Sequence, residues 1–228
     1  MNRIGLIGGT SYVATADYYK GLNEVIYART KTEFADVVIF SLNFGPIERN
    51  IQTGNIQANA PAFIEAARAL QAAGCQVLAF AANTSHLFTE EVKTATGLPL
   101  VHIGEATAEV AVAKGFKKVG LLGTRYTMEG AFIRSKLEER GLTVVIPGSE
   151  DRTFVNDSIF GELTRDIFTD PTRGRYQEII ARLAEEGCDS VALACTEIPL
   201  LLEGHSSPLP TLETTRIHVE AIAEAMLA

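Results

Sequence analysis

The sequence predicts an α/β fold built twice: two similar doubly wound parallel-sheet domains related by pseudo-twofold symmetry, with a site in the cleft between them. Three observations carry this prediction. Short apolar runs alternate with longer amphipathic stretches through all 228 residues. Several runs are apolar along their whole length, as strands buried on both faces of a parallel sheet must be. The two halves also repeat each other. Arg3-Ile4-Gly5-Leu6-Ile7-Gly8-Gly9-Thr10 opens a unit that runs to Leu78-Ala79-Phe80-Ala81-Ala82-Asn83-Thr84. Lys118-Val119-Gly120-Leu121-Leu122-Gly123-Thr124 opens one that runs to Ala192-Leu193-Ala194-Cys195-Thr196-Glu197. The offset is nearly constant, 115 between Gly5 and Gly120 (120 − 5) and 113 between Ala82 and Cys195 (195 − 82).

Taken in order, the apolar runs give strands at Ile4–Ile7, Val37–Leu42, Val77–Phe80, Leu100–His102, Val119–Leu122, Thr143–Ile146 and Ser190–Leu193. Helices fill the intervals. Pro61–Ala73 has proline in its first turn and an alanine-rich body. Ala106–Lys114, Ala131–Arg140 and Tyr176–Glu186 each run up to a glycine suited to a C-cap, Gly115, Gly141 and Gly187. Thr215–Leu227 forms the last helix. Strands separated by such helices make βαβ units. The chain is expected to cross between domains near Pro99–Ile103 and again near Pro208–Leu212. That gives a discontinuous first domain, 1–100 plus 209–228, and a second domain, 101–208.

Composition narrows the partners. Hydrophobic residues make up 46% and charged residues 21%, ordinary for a globular protein. A net charge of −8 argues against nucleic acid or anionic membrane, though a local pocket can still be positive. No apolar run approaches the length of a membrane span, and Met1-Asn2-Arg3-Ile4-Gly5 leads into a strand without a signal-peptide pattern. Three cysteines do not read as a disulfide framework, so a reduced, cytoplasmic protein is expected. No histidine cluster or CxxC pattern suggests a metal.

Ligands of open α/β sheets sit beyond the carboxyl ends of the strands, and the residues with chemical potential gather there. Gly8-Gly9-Thr10-Ser11 follows the first strand, where glycines allow close backbone approach and a helix start offers N–H groups. Gly123-Thr124-Arg125-Tyr126-Thr127 repeats this in the second unit, suggesting a paired anion cradle that includes Thr124 and Thr127. Cys195, followed by Thr196 and Glu197, is either a base or nucleophile with a lowered pKa or a small buried hydrophobe. Cys75 and Cys188 precede their strands at the remote end and read as structural. Asn83, Thr84, Ser85 and Thr196 are short polar groups able to bind a carboxylate or to cap a helix. His86 could orient a substrate or a catalytic group. Arg49 could hold a carboxylate at two points.

These residues resemble the aspartate/glutamate racemase family, which includes hydantoin racemases and related isomerases and decarboxylases. Val191-Ala192-Leu193-Ala194-Cys195-Thr196-Glu197-Ile198-Pro199 matches its second signature closely, and Asn83-Thr84-Ser85-His86 matches part of the first. Gly8-Gly9-Thr10-Ser11 is similar to its opening loop, and Leu122–Met128 to the start of its second domain. The resemblance spans essentially the whole chain. It implies a cofactor-independent racemase of aspartate, glutamate or a broader range of amino acids, often a homodimer. In such enzymes two residues, usually cysteines, flank the α-carbon. One removes the proton and the other returns it from the opposite face. The resemblance also places a carboxylate-binding arginine in Asn43–Arg49, carried onto Arg49.

One departure matters for function. Where relatives have the first cysteine, this chain has Ala82 preceded by Ala81. Three readings stay open. The cysteine was deliberately exchanged for alanine; or the natural chain uses Thr84, Ser85, Ser11 or a water on that side; or the reaction is one-sided. The last reading makes it a one-thiol isomerase or decarboxylase of a small dicarboxylate. Outside enzymes, the alternative is a binding protein that kept the cleft and lost the chemistry. Glu213-Thr214 stands where relatives often have Asp-Thr.

Overall fold

The computed structural model describes residues 1–228 and divides them into two compact units, Met1–His102 with His218–Ala228, and Ile103–Ile217. The first unit runs β1 (Ile4–Gly8), α1 (Tyr12–Thr30), β2 (Val37–Ser41), α2 (Phe44–Gln52), α3 (Ala60–Ala72), β3 (Val77–Phe80), α4 (Thr89–Thr96) and β4 (Leu100–Val101). The second runs α5 (Ile103–Ala113), β5 (Lys118–Gly123), α6 (Arg125–Glu129), α7 (Ala131–Glu138), β6 (Thr143–Val145), α8 (Ser149–Gly161), α9 (Asp170–Glu185), β7 (Ser190–Ala194), α10 (Glu197–Leu202) and β8 (Thr211–Glu213). The closing helix α11 (Thr214–Leu227) begins in the second unit and returns to the first.

Each unit holds one four-stranded sheet, ordered β2-β1-β3-β4 and β6-β5-β7-β8. Every pairing is parallel. The central strands are buried along their whole length because helices cover both faces. In the second sheet, Val191 and Leu193 point into the core under α8 and α9, while Ala192 and Ala194 point into the core under α5 and α7. In the first, Ile4, Leu6, Val77 and Ala79 meet Leu22 and Ile26 of α1 and Val219 and Ile222 of α11.

The repeat seen in the sequence is a repeat of packing. A Cβ on Gly5 would lie 2.7 Å from Leu78 Cδ2 and 3.0 Å from Leu70 Cβ. A Cβ on Gly120 would lie 2.8 Å from Leu183 Cδ1 and 3.5 Å from Val191 Cγ2. Leu70 and Leu183 differ by 113, as do Leu78 and Val191, so the two glycines admit branched side chains from equivalent positions in both units. The helix ends repeat too. Gly74 and Gly187 take φ of 80° and 87°, and the N–H groups of Cys75 and Cys188 reach back to the carbonyls of Leu70 and Leu183, closing Schellman-type ends. Both cysteines are buried at the strand ends opposite the candidate site.

The expected domain boundaries shift. The second crossing was placed before residue 209, but β8 pairs with β7 and the Thr214 hydroxyl donates to Leu193 O at 3.1 Å. Residues 209–217 therefore belong to the second unit, and the chain re-enters the first at His218. The first crossing falls after His102 rather than after residue 100.

Candidate functional site

Strand register makes Ala82 the topological counterpart of Cys195. In the first sheet Gly5 lies opposite Leu78; in the second Gly120 lies opposite Val191. Counting on four residues from Leu78 and from Val191 reaches Ala82 and Cys195. Both stand just past the carboxyl end of a central buried strand, where α/β sheets bind their ligands.

In the first unit the glycine loop has an internal explanation. Gly9 has φ of 87°, and a Cβ there would fall 2.1 Å from Leu42 O. The bend lets Leu42 N–H donate to Gly8 O at 3.0 Å. The loop's N–H groups are partly consumed: Gly9 N–H donates to Thr15 Oγ1 at 2.9 Å, and Ala14 N–H to Ser11 Oγ at 3.2 Å. Ser11 is thus the N-cap of α1. Thr10 stays partly exposed, with its hydroxyl 3.5 Å from that of Ser85, so the structure joins the glycine loop to the Asn83-Thr84-Ser85 turn. Asn83 and Ser85 are buried and Thr84 is half-buried.

His86 does not project towards a ligand. It is fully buried, and its Nδ1 lies 3.1 Å from Ala82 O and 3.3 Å from Asn83 O. Carbonyls only accept, so Nδ1 carries the proton and pins the turn that bears position 82. The imidazole packs against Phe80, His102 and His218. Burial and the two neighbouring histidines hold its pKa well below the ordinary value. Sequence reasoning missed this cluster, because its members come from residues 86, 102 and 218 with no shared motif. His218 Nε2 donates to Val101 O at 2.9 Å, and its Nδ1 accepts from the Tyr18 hydroxyl at 2.9 Å. No group of three or more His, Cys, Asp or Glu is arranged to hold a metal.

Arg49 lies exposed on α2 and forms no ion pair with a protein carboxylate, which leaves its guanidinium available to an anionic ligand. In the second unit, Thr124 caps α6 by accepting from Thr127 N–H at 3.3 Å, and the two hydroxyls lie 3.1 Å apart. Here helix capping accounts for the pair, and the cradle expected at Thr124–Thr127 has one N–H already engaged.

The strongest chemistry is at the end of β7. Cys195 Sγ donates to Glu197 Oε2 at 3.0 Å, and the Thr196 hydroxyl donates to the same oxygen at 2.7 Å. Glu197 is buried and Cys195 is half-buried. Of the two readings the sequence left open for Cys195, the catalytic one came with a lowered thiol pKa. The structure reverses that direction: burial and the Glu197 carboxylate push the thiol well up, and outweigh the opposing N–H groups of Thr196 and Glu197. At neutral pH Cys195 is therefore a protonated thiol with a carboxylate in position to take its proton.

Comparison with known proteins gives a consistent picture. The model of the Asp/Glu/Hydantoin racemase family matches residues 7–222. A crystal structure of a candidate Asp/Glu racemase from Yersinia pestis superposes with a TM-score of 0.92 at 37% identity over all of both chains. An aspartate racemase homologue from Pyrococcus horikoshii superposes with a TM-score of 0.84 at 34% identity, again over all of both chains. In sequence, a broad specificity amino-acid racemase of Bacillus subtilis is 23% identical over 167 residues, 73% of this chain and 72% of that protein.

Proposed function

The chain belongs to the Asp/Glu/Hydantoin racemase family, and we propose that it moves the α-proton of an amino acid through Cys195 without pyridoxal phosphate. Aspartate and glutamate are the first substrates to try. The relationship to a broad specificity racemase supports a wider range. The observation that carries the proposal is the thiol–carboxylate pair of Cys195 and Glu197 at the end of β7. As an acid, the Cys195 thiol delivers its proton to the α-carbon. As a base, it first passes that proton to Glu197, and the thiolate then abstracts from carbon. Thr196, Thr124 and Thr127 of the second unit, and separately Gly9, Thr10, Ser11, Asn83, Thr84 and Ser85 of the first, offer hydroxyl and amide groups suited to a carboxylate. Stabilising the developing carbanion is the largest demand of such a reaction, and preorganised donors meet it. The three free thiols support a reducing, cytoplasmic setting.

Two-base racemisation needs a second proton carrier, and Ala82 is not one. The alanine at that position favours a second reading, in which only one proton transfer is needed, as in a one-thiol isomerase or a decarboxylase of a small dicarboxylate. Proton NMR of L- and D-aspartate and glutamate in D2O separates the possibilities. A racemase exchanges the α-proton for deuterium, and a decarboxylase releases CO2. A pure binding protein does neither, yet gains thermal stability with ligand.

Two variants test the assignments of single residues. Glu197→Gln removes the charge that helps hold the Cys195 thiol up. The pH midpoint of Cys195 alkylation by iodoacetamide is expected to move to lower pH, and an unmoved midpoint would take Glu197 out of the role. Arg49→Ala is expected to raise the KM for an acidic substrate by about 10- to 100-fold, the loss of one charged hydrogen-bond partner. An unchanged KM would make Arg49 a surface residue only.

A further inference from the structure

The repeat between the two units breaks at two places in one turn. After β3, Ala82 and Asn83 lead into a short helical turn that starts at Thr84; after β7, Cys195 and Thr196 lead into α10, which starts at Glu197. The two turns therefore match residue for residue at the offset of 113 (195 − 82). Position 82 is the first break, because it carries alanine where position 195 carries a thiol. Position 86 is the second. Its counterpart is Pro199 (199 − 86 is again 113), which has no donor of any kind. His86 has one, and its Nδ1 lies 3.1 Å from Ala82 O and 3.3 Å from Asn83 O.

In the second turn the N–H groups of Thr196 and Glu197 donate to the Cys195 sulfur and favour its thiolate. Their equivalents in the first turn are the N–H groups of Asn83 and Thr84. All peptide bonds are trans, and a trans peptide unit points its N–H opposite to its C=O. His86 draws the carbonyls of Ala82 and Asn83 to itself, so it turns the N–H groups of Asn83 and Thr84 the other way. The hold is rigid. The imidazole sits edge-on to Phe80, His102 and His218, with ring centroids 5.1, 4.6 and 5.3 Å away. Those two histidines, with the Tyr18 hydroxyl behind His218, are the titratable groups that face it. Burial keeps His86 neutral, so it has a single N–H, and the two carbonyls fix that N–H on Nδ1.

We propose that His86 is the positioning residue of the first unit: through its Nδ1–H it aims the N–H groups of Asn83 and Thr84 at an acid/base atom beside position 82. Such an atom then gains the N–H support that the Cys195 sulfur receives in the second unit. The two turns thus reach one arrangement by different means. A side chain four residues on holds the first, and the Glu197 carboxylate receives the thiol and hydroxyl of the second. This role rests on the proton-transfer reading proposed above, but its test does not.

Ala82→Cys supplies the probe, since position 82 is half-buried like Cys195. The pH midpoint of iodoacetamide alkylation is read at position 82, with peptides resolved by mass spectrometry and Cys195 as the internal reference. No turnover is needed, so a chain that exchanges no amino acid still gives an answer. Adding His86→Phe, which keeps a ring and loses the donor, should move the midpoint at position 82 up by about one pH unit, the worth of a hydrogen bond to a charged sulfur. His86→Asn, whose amide nitrogen takes the place of Nδ1, should restore it. His86→Gln, whose nitrogen takes the place of Nε2, should not. If a circular dichroism melt shows that the His86→Phe variant does not fold, the contrast between His86→Asn and His86→Gln decides. A midpoint at position 82 that is unmoved by His86→Phe, or equal in His86→Asn and His86→Gln, overturns the proposal. So does a Cys195 midpoint that moves in step with it, because the effect is then a general loosening.

Discussion

Cys195→Ala is expected to suppress exchange of the substrate α-proton, with the rate falling by about 100- to 10,000-fold, while the fold is kept. The size follows from removing a proton-transfer group, which contributes typically about 10²–10⁴ in rate. The fold should survive because Cys195 is only half-buried and sits at a strand end, where alanine leaves little void. The informative partner is Ala82→Cys. Register makes it the counterpart of Cys195, so it restores a thiol where two-base chemistry needs one. If the chain as given does not exchange and Ala82→Cys does, the protein is a two-thiol racemase lacking one thiol. If the chain already exchanges both enantiomers, a group near Ala82 such as Thr84 or Ser85 carries the second proton. Exchange that persists in Cys195→Ala would sink the assignment of Cys195.

The strand positions and the glycine helix ends were legible because both rest on local pattern. Fully apolar runs mark strands buried on two faces, and all seven expected strands form within a residue or two of their expected ends. The 113-residue offset reported packing as well as sequence, since it links Leu70 to Leu183 and Cys75 to Cys188. Helix α1 was not legible. Beside the buried Ala14, Tyr18, Leu22 and Ile26 it exposes Tyr12, Tyr19 and Tyr27, and these outward rings blur the periodicity by which a helix is read. Strand β8 was hidden by length, being three residues between Pro210 and a helix, and the domain boundary moved with it. The direction of the Cys195 pKa was misread because the sequence places N–H groups near the sulfur but does not say that Glu197 folds back onto it. Nor could any local pattern show that residues 86, 102 and 218 meet.

Acid should destabilise this protein through those histidines. His218 is fully buried, and its pKa is lowered to about 3, chiefly by burial, against 6.5 for the free side chain. A lowered pKa means that the unfolded chain binds the proton and the native state does not. The native state is thus unpenalised above pH 6.5 and loses stability as pH falls from there towards 3. At pH 5 the loss through His218 alone is about 2 kcal/mol. His86 shifts in the same direction and adds to it. His218→Gln removes one titrating group, and urea midpoints at pH 7.5 and pH 5 should then lie closer together than in the wild type. Equal wild-type midpoints at the two pH values would show that the cluster does not stay neutral. The consequence reaches the candidate site. His86 holds the Ala82 and Asn83 carbonyls only through its Nδ1–H, so the turn bearing position 82 rests on the same neutral cluster. Loss of activity below pH 6 should therefore track unfolding of the first unit, because Cys195 is already fully protonated there.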